Sequence, residues 1–437
     1  MTTLPAIRAG RASPLAGLAG AAVAGALLGV VLAGHPPSDL AVAAGVVGAG
    51  LMLVLALSNY EAAVAAGFVL FGVVRFEPAP SDALLALLAA LAIASGRLDL
   101  RRVPAPILAL LAGLLALNVL SIAGAADLGG ALRYFAITLY LAVLAVWLAS
   151  YLRSASRMRL VIGAYLAGAV ASSALAVVSL FVAYPGHELL TGESAARAQG
   201  LFKDPNVFGP FLVPAALIAL EETLRPRLLG LRRPVSAAAL AVLALGIVFA
   251  YSRAGWLNFA VAVGVMLLVV SLRADAARAA GAALVLVVLI AGVAGAAVVF
   301  TGSGAFLEER ARAQAYDTVR FSAQRTGVQL ASEHALGVGP GQFEQDQPVS
   351  AHSIYVRVLA EQGVLGLAIL VALLAGTLAL AVRNAVAGRD AHGVGSAVLL
   401  GAWCGLLANS AFVDTLHWRH LWLVAALIWV AAVPARR

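Results

Sequence analysis

Cysteine is almost absent from this 437-residue chain, and so is lysine: Cys404 and Lys203 are the sole examples. A single cysteine inside an apolar run excludes a disulfide framework and a cysteine metal site, and it reads as a small buried apolar residue. Charge of either sign is scarce, at 11% of residues, and the centres of the long apolar runs carry no Asp, Glu, Lys, Arg or His. Such residues mark most ion-coupled pathways and cost roughly 2.5–3.5 kcal/mol each on insertion scales, so their absence argues against a transporter or lipid flippase. The polar segments hold no Asp-x-Asp pair and no His, Asp or Glu cluster with metal-ligand spacing, so no metal and no cofactor is expected. No internal repeat or low-complexity tail is visible beyond a bias to alanine and leucine.

What the chain has in abundance is apolar length. It is 62% hydrophobic, its mean hydropathy is +0.98, and apolar runs of the length a bilayer core demands recur throughout. The expected fold is an all-α polytopic membrane protein. Candidate spans fall at 15–34, 40–57, 62–75, 82–95, 104–122, 131–151, 158–183, 207–222, 235–251, 255–272, 279–300, 354–382, 394–413 and 418–434. The runs at 62–75 and 82–95 are short and could form a re-entrant or tilted pair, which leaves about 12–14 crossings in a single domain over 1–437. The first run follows Arg8 and Arg11 and reads as a retained signal anchor.

The net charge of +8 and a pI near 10.1 would suggest nucleic acid in a soluble chain, but the arginines lie mostly in short loops between spans, which is the signature of membrane orientation. Counting them in alternate loops puts both termini in the cytoplasm and turns the long polar segments 184–206 and 301–353 outward. The location implied is the cytoplasmic membrane, with membrane lipid as the surroundings and no nucleic-acid partner. Arg75, Arg133, Arg197, Lys203, Arg253, Arg310, Arg312, Arg320, Arg325, Arg357 and Arg419 break this rule. Each falls at or near the outer end of a span or in an outer loop, so any chemistry belongs to that face.

Four stretches there carry the argument. In "ARAQGLFKDPNVFGPFLVP", Asp204 followed by Pro205 fits an N-cap with proline in the first helical turn, while Arg197 and Lys203 stand beside a helix N-terminus whose amides and dipole suit an anion. In "YSRAGW", Arg253 either snorkels to the interface with Trp256 as its aromatic anchor or joins Arg197 to grip a diphosphate in bidentate fashion. In "YDTVRFSAQRTGVQLASEHALGVGPGQFEQ", Asp317 is expected to cap a helix reaching about His334. Arg320 then stands in the first turn, where the helix dipole disfavours a cation, so it is either a solvated surface residue or held there for a ligand. "GVGPGQF" lacks the Gly-Lys-Ser/Thr ending of a phosphate loop and reads as a turn back to the membrane. Finally, "SAHSIYVRVLAEQGVLG" opens an apolar run whose helix, at about 43 Å, should project beyond the bilayer, with His352 at its head and Arg357 pairing with Glu361 four residues on. A lone histidine at an interface is usually structural or merely exposed.

Together these stretches resemble the O-antigen ligase and O-antigen polymerase superfamily of bacterial membrane glycosyltransferases. The resemblance covers roughly residues 60–430 in span order and is most specific from Arg197 to Gly366. It rests on Arg-x-x-Gly-Leu-Phe-x-Asp-Pro-Asn, which ends at Asn206, then Ser-Arg-Ala-Gly, a loop arginine before Gly-Val-Gly-Pro-Gly-x-Phe, and Ala-His-Ser-x-Tyr with Glu-x-Gly-x-x-Gly. Ser353 departs from the asparagine more usual after the histidine. The resemblance implies transfer of a glycan from an undecaprenyl-diphosphate carrier to a saccharide or lipid A core acceptor, for lipopolysaccharide or polysaccharide biosynthesis.

Residue chemistry points the same way. A diphosphate leaves readily only if its developing charge is met, a task for Arg197, Arg253 and Arg320, with Lys203 beside them. The acceptor hydroxyl must lose a proton, and His352 suits the general-base role. Asp204, Asn206, Arg357 and Glu361 are expected to support these groups. Ligase and polymerase differ only in acceptor, and the sequence leaves that choice open. The remaining alternative is a structural scaffold to which the outer-face arginines are incidental.

Overall fold

The computed structural model describes residues 39–75, 78–192, 197–272, 315–345 and 349–433, with isolated positions 281, 292 and 295. Among these the chain is a polytopic all-α membrane protein. Its helices are α1 (Asp39–Ser58), α2 (Tyr60–Val69), α3 (Pro80–Ala94), α4 (Ala105–Ser121), α5 (Leu128–Tyr151), α6 (Ala155–Val178), α7 (Pro205–Leu224), α8 (Arg233–Phe249), α9 (Arg253–Ser271), α10 (Ala315–Glu333), α11 (Ile354–Val386), α12 (Ser396–Ser410) and α13 (Arg419–Ala432). A two-residue antiparallel pair, β1 (Thr191–Gly192) with β2 (Arg197–Ala198), lies in the loop before α7. Every expected span on described residues corresponds to a helix. The runs at 15–34 and, save three positions, 279–300 lie outside the described residues.

Six helical stretches are long and apolar enough to cross a membrane by length and composition: 105–124, 128–151, 155–178, 205–224, 253–271 and 354–386. Shorter apolar helices pack among them. The two runs expected to be short are so: α2 with its 3-10 extension to Gly72, and α3, form an antiparallel hairpin whose inward residues, Val64, Phe68, Leu85 and Leu88, are fully buried.

Helix α7 is the axis of the bundle, with an unbroken buried stretch from Phe208 to Leu220. It contains Pro210 and Pro214, whose rings break the i to i−4 ladder, and the Tyr165 hydroxyl from α6 donates to the Phe211 carbonyl at 2.6 Å beside that break. Helices α9 and α12 approach still more closely, through Gly401 and Gly405. A Cβ on Gly401 would come within 2.4 Å of the Ala262 carbonyl, and one on Gly405 within 2.5 Å of the Asn258 carbonyl. This is the small-xxx-small contact that membrane helices use where no hydrophobic force draws them together.

Helix α11 differs from expectation. The run from Ile354 is two helices meeting at Gly363, which has φ 70 and ψ −172. The first ends because the amides of Val338 and Gly339 cap the carbonyls of Ala360 and Glu361 at 3.0 and 3.1 Å. Gly363 cannot be replaced without conflict, since its Cβ would sit 2.1 Å from the Ala335 carbonyl. The second part, 364–386, is about 34 Å long at 1.5 Å per residue, close to one bilayer core. The turn after α10 therefore does more than return the chain to the membrane: it divides α11 and folds the segment carrying Arg357 and Glu361 away from the spanning part. The expected overlong straight helix is not formed.

The loops gather at two ends. One end holds 95–104, 152–154, 225–232 and 387–395, and it is tied together by carboxylates. The buried Glu222 accepts the amides of Arg227, Leu228, Leu229 and Gly230, Glu221 accepts that of Gly395, and Arg227 pairs with Asp390 at 2.7 Å. The other end holds 73–79, 122–127, 179–204, 250–252, 334–353 and 411–418 together with α10, and it carries every candidate residue.

Candidate active site

Two clusters form this end. The first surrounds Arg197, which is 1% exposed. Its Nε donates to the Ala250 carbonyl at 2.8 Å and its Nη2 to Asn206 Oδ1 at 3.0 Å, so the guanidinium joins β2, the first turn of α7 and the end of α8. Asp204 is the N-cap expected of it, accepting the Asn206 amide at 2.8 Å. Its own carbonyl takes the amides of Val207 and Phe208, so the helix N-terminus expected to offer amides to an anion has them engaged. Lys203 is exposed. Arg253 opens α9 after Ser252, whose Oγ caps the Gly255 amide at 3.1 Å, and Trp256 Nε1 donates to the Ile247 carbonyl at 3.2 Å. The preceding Tyr251 has φ 47, and this tight turn places Arg253 only three residues beyond the carbonyl that Arg197 holds. The two arginines expected to act together therefore converge on one turn, Arg197 buried and Arg253 partly exposed.

The second cluster is organised by Arg357. Its guanidinium pairs with Asp414 through Nη1, with Glu344 at 2.7 Å and with Glu361 at 3.3 Å, and it lies 5.1 Å from the centroid of the Tyr134 ring. The expected pair with Glu361 forms, but it is one of three. Tyr134 donates to Glu344 Oε2 at 3.2 Å and its ring meets that of His417 at a tilt of 52°, and His417 Nε2 is 2.9 Å from Thr138 Oγ1. Nearby, Arg419 pairs with Asp82, which also accepts from Tyr140 at 3.0 Å. Among the described residues no group of three or more His, Cys, Asp or Glu side chains is arranged to hold a metal ion.

His352 sits beside this hub in a left-handed conformation (φ 46) between the buried Ala351 and Ser353. Burial and the neighbouring Arg320 hold its imidazole down to about 4, against the partly offsetting pull of Glu344 and Asp414, so it is neutral at physiological pH and able to accept a proton. The Arg357 interactions hold Asp414 below the usual carboxylate range. Arg320 donates from Nη2 to the Phe412 carbonyl. Its helix, α10, is described from Ala315, so Asp317 lies within the helix and not at the cap expected for it.

The clusters adjoin. Gly401 rests on Ala262 and Gly405 on Asn258, and the same antiparallel register carries Arg253 to the level of Ser410, two residues from the carbonyl that Arg320 holds. Sequence reasoning missed Tyr134, Glu344, Asp414 and His417. The acidic turn "FVDTLHW" between two apolar runs was a usable signal for the last two. Tyr134 had none, being brought in by contacts more than two hundred residues apart, and Glu344 is an ordinary loop carboxylate thirteen residues before its partner Arg357.

Several arginines and a neutral histidine thus gather at one end of the helices of an integral membrane protein. Residues 238–371 match the family model described as O-antigen ligase, a segment that includes Arg253, Arg320, His352, Arg357 and Glu361. Over this segment the chain is similar to that family. No curated protein matches it.

The hub yields a stability prediction. Arg357→Met leaves three carboxylates around an apolar side chain, and removing one partner of a buried ionic group typically costs about 3–5 kcal/mol. The purified variant should melt well below the wild type in detergent, and adding Asp414→Asn with Glu361→Gln should restore much of the loss. An unchanged melting temperature for Arg357→Met would show that the hub does not hold the cluster together.

Proposed function

We propose that this protein transfers a glycan from a polyprenyl diphosphate, of the undecaprenyl type, to an acceptor hydroxyl at the outer face of the cytoplasmic membrane. The observation that carries the proposal is the neutral His352 standing beside Arg320, on the same end of the bundle as the Arg197 and Arg253 turn. In the reaction the bond between the sugar's anomeric carbon and the diphosphate oxygen breaks, the acceptor oxygen bonds to that carbon, and its proton passes to His352. Arg253 and Arg320 meet the charge that develops on the diphosphate, and Arg197 adds positive charge from a buried position fixed by Ala250 and Asn206. Lys203, Asp204 and Asn206 flank this arginine group, and Arg357 with Glu361 fixes the segment below His352. No step calls for a metal or a cofactor. The acceptor is a lipid A core in the ligase reading and the end of another carrier-bound chain in the polymerase reading. Carrier-linked polymer left unattached in a deletion strain supports the first, and single repeat units support the second.

Removing the base should slow the chemical step while carrier binding survives. His352→Ala should lower kcat by about 10²–10⁴-fold with little change in carrier affinity. Because the imidazole is held at about 4, the acid limb of kcat/KM that it sets should lie well below the ordinary histidine range, leaving activity level from about pH 6 to 8. Wild-type turnover by His352→Ala over that range would assign the proton to another group.

The orientation has its own test. A periplasm-active reporter fused near Gln345 should function and one fused near Gly230 should not. The reverse pattern would place the arginines and His352 on the cytoplasmic side, away from an outward-facing donor.

A further inference from the structure

Helix α10 is tied down at both ends. Near its start, Arg320 donates to the Phe412 carbonyl in the turn after α12. Beyond its end, residues 335–337 lie against the break in α11: a Cβ on Gly337 would touch the backbone of Glu361 and Gln362, and one on Gly363 would touch the Ala335 carbonyl. Both tie points are where membrane helices end, α12 at Ser410 and the spanning part of α11 at residue 364. A helix fixed between two such points runs along the surface of the bundle's site end.

Its circumference divides mainly into three sectors, with Val319, 44% exposed, at the far edge of the polar one and the exposed Ser332 beside the apolar one. Ala323 and Gly327 form the inner side, Gly327 against Val356 and Phe343. Thr318, Ser322, Gln329 and Glu333 form an exposed polar side. Between them, Phe321 and Val328 stand seven residues apart on one stripe at 59% and 55% exposure, with the exposed Arg325 beside them and Leu336 at 47% just beyond the helix. The stripe does not end there. Leu336 adjoins the break at Gly363, from which Val364 and Leu365 project at 63% and 60% exposure at the head of a membrane-spanning segment, and at the other end Phe412 is 50% exposed. The exposed apolar surface of α10 thus continues the lipid-facing surface of α11, with an arginine placed to meet phosphate headgroups.

We propose that α10 is an in-plane membrane anchor, with Phe321, Val328 and Leu336 sunk into the boundary between headgroups and acyl chains of the leaflet on the site side, and Arg325 contacting lipid phosphate. Its occupant is the bilayer in which the chain itself is embedded. Amphipathic interfacial helices hold to membranes by this combination of buried apolar area and cationic flank. The arrangement also sets the depth of the chemistry, because Arg320 on the same helix is thereby held at headgroup level.

The test uses the full chain in nanodiscs of phosphatidylcholine and phosphatidylglycerol, with Cys404→Ser or Cys404→Ala as background. Nitroxide labels are attached through Phe321→Cys, Val328→Cys, Leu336→Cys, Thr318→Cys or Gln329→Cys, one at a time. The ratio of collision with oxygen to collision with a water-soluble nickel chelate should be several-fold higher at 321, 328 and 336 than at 318 and 329. Equal ratios at all five positions would overturn the proposal. So would protection from nickel without a preference for oxygen, accompanied by spin coupling between labels at 328, because a second copy of the chain and not lipid would then cover the stripe. This readout involves no glycan transfer, so it stands or falls independently of the proposed reaction.

Discussion

The guanidinium of Arg357 is the contact on which the site end depends. It holds Glu344 from the loop after α10, Glu361 from its own helical segment and Asp414 from the turn between α12 and α13, and it lies against Tyr134 of α5. Four separate parts of the chain are thereby fixed around one buried cation. Three carboxylates so close would repel one another strongly in a medium that screens poorly, and the arginine makes their gathering favourable. His352, five residues earlier, inherits its surroundings from this arrangement. It is buried enough to stay neutral, and the cation nearest it, Arg320, favours that neutral form further.

Glycine governs how the hub is reached. Gly363 permits α11 to break, and the amides of Val338 and Gly339 cap the carbonyls so exposed. Had α11 run straight, Arg357 and Glu361 would stand above the bundle along the axis of the spanning helix. The break leaves a spanning part matched to the bilayer core and a short upper segment, packed against α10, that carries the polar residues. At the opposite end of the molecule the Glu222 carboxylate holds four backbone amides of one loop, so there too one buried carboxylate meets many donors.

The helices were legible because a bilayer requires apolar length and little else, and hydropathy records that requirement directly. The break in α11 was not, since Gly-x-x-Gly is tolerated inside membrane helices and the capping amides come from a turn more than twenty residues away. Arg197, Arg253 and Arg320 stood out by placing positive charge on the wrong side of the charge rule, and His352 by its place at the head of the apolar run from Ile354. Their environments did not stand out. Arg197 reads in sequence like a loop cation and is fully buried, and the amides beside it, expected to bind an anion, are engaged by Asp204. Asp414 and Glu344 escaped notice because a carboxylate in a loop is ordinary until its partner is known, and that partner was assigned to Glu361 alone.

The central claim is that the arginines and His352 address one substrate. It is tested most directly by a cryo-EM structure of the full chain with a polyprenyl-diphosphate sugar bound in a nanodisc. The account predicts phosphate oxygens within about 3 Å of the Arg253 and Arg320 guanidiniums, the distance of a charge-assisted hydrogen bond, with the sugar directed toward His352. A diphosphate bound at the opposite end beside the 225–232 loop, or bound clear of both arginines, would contradict it.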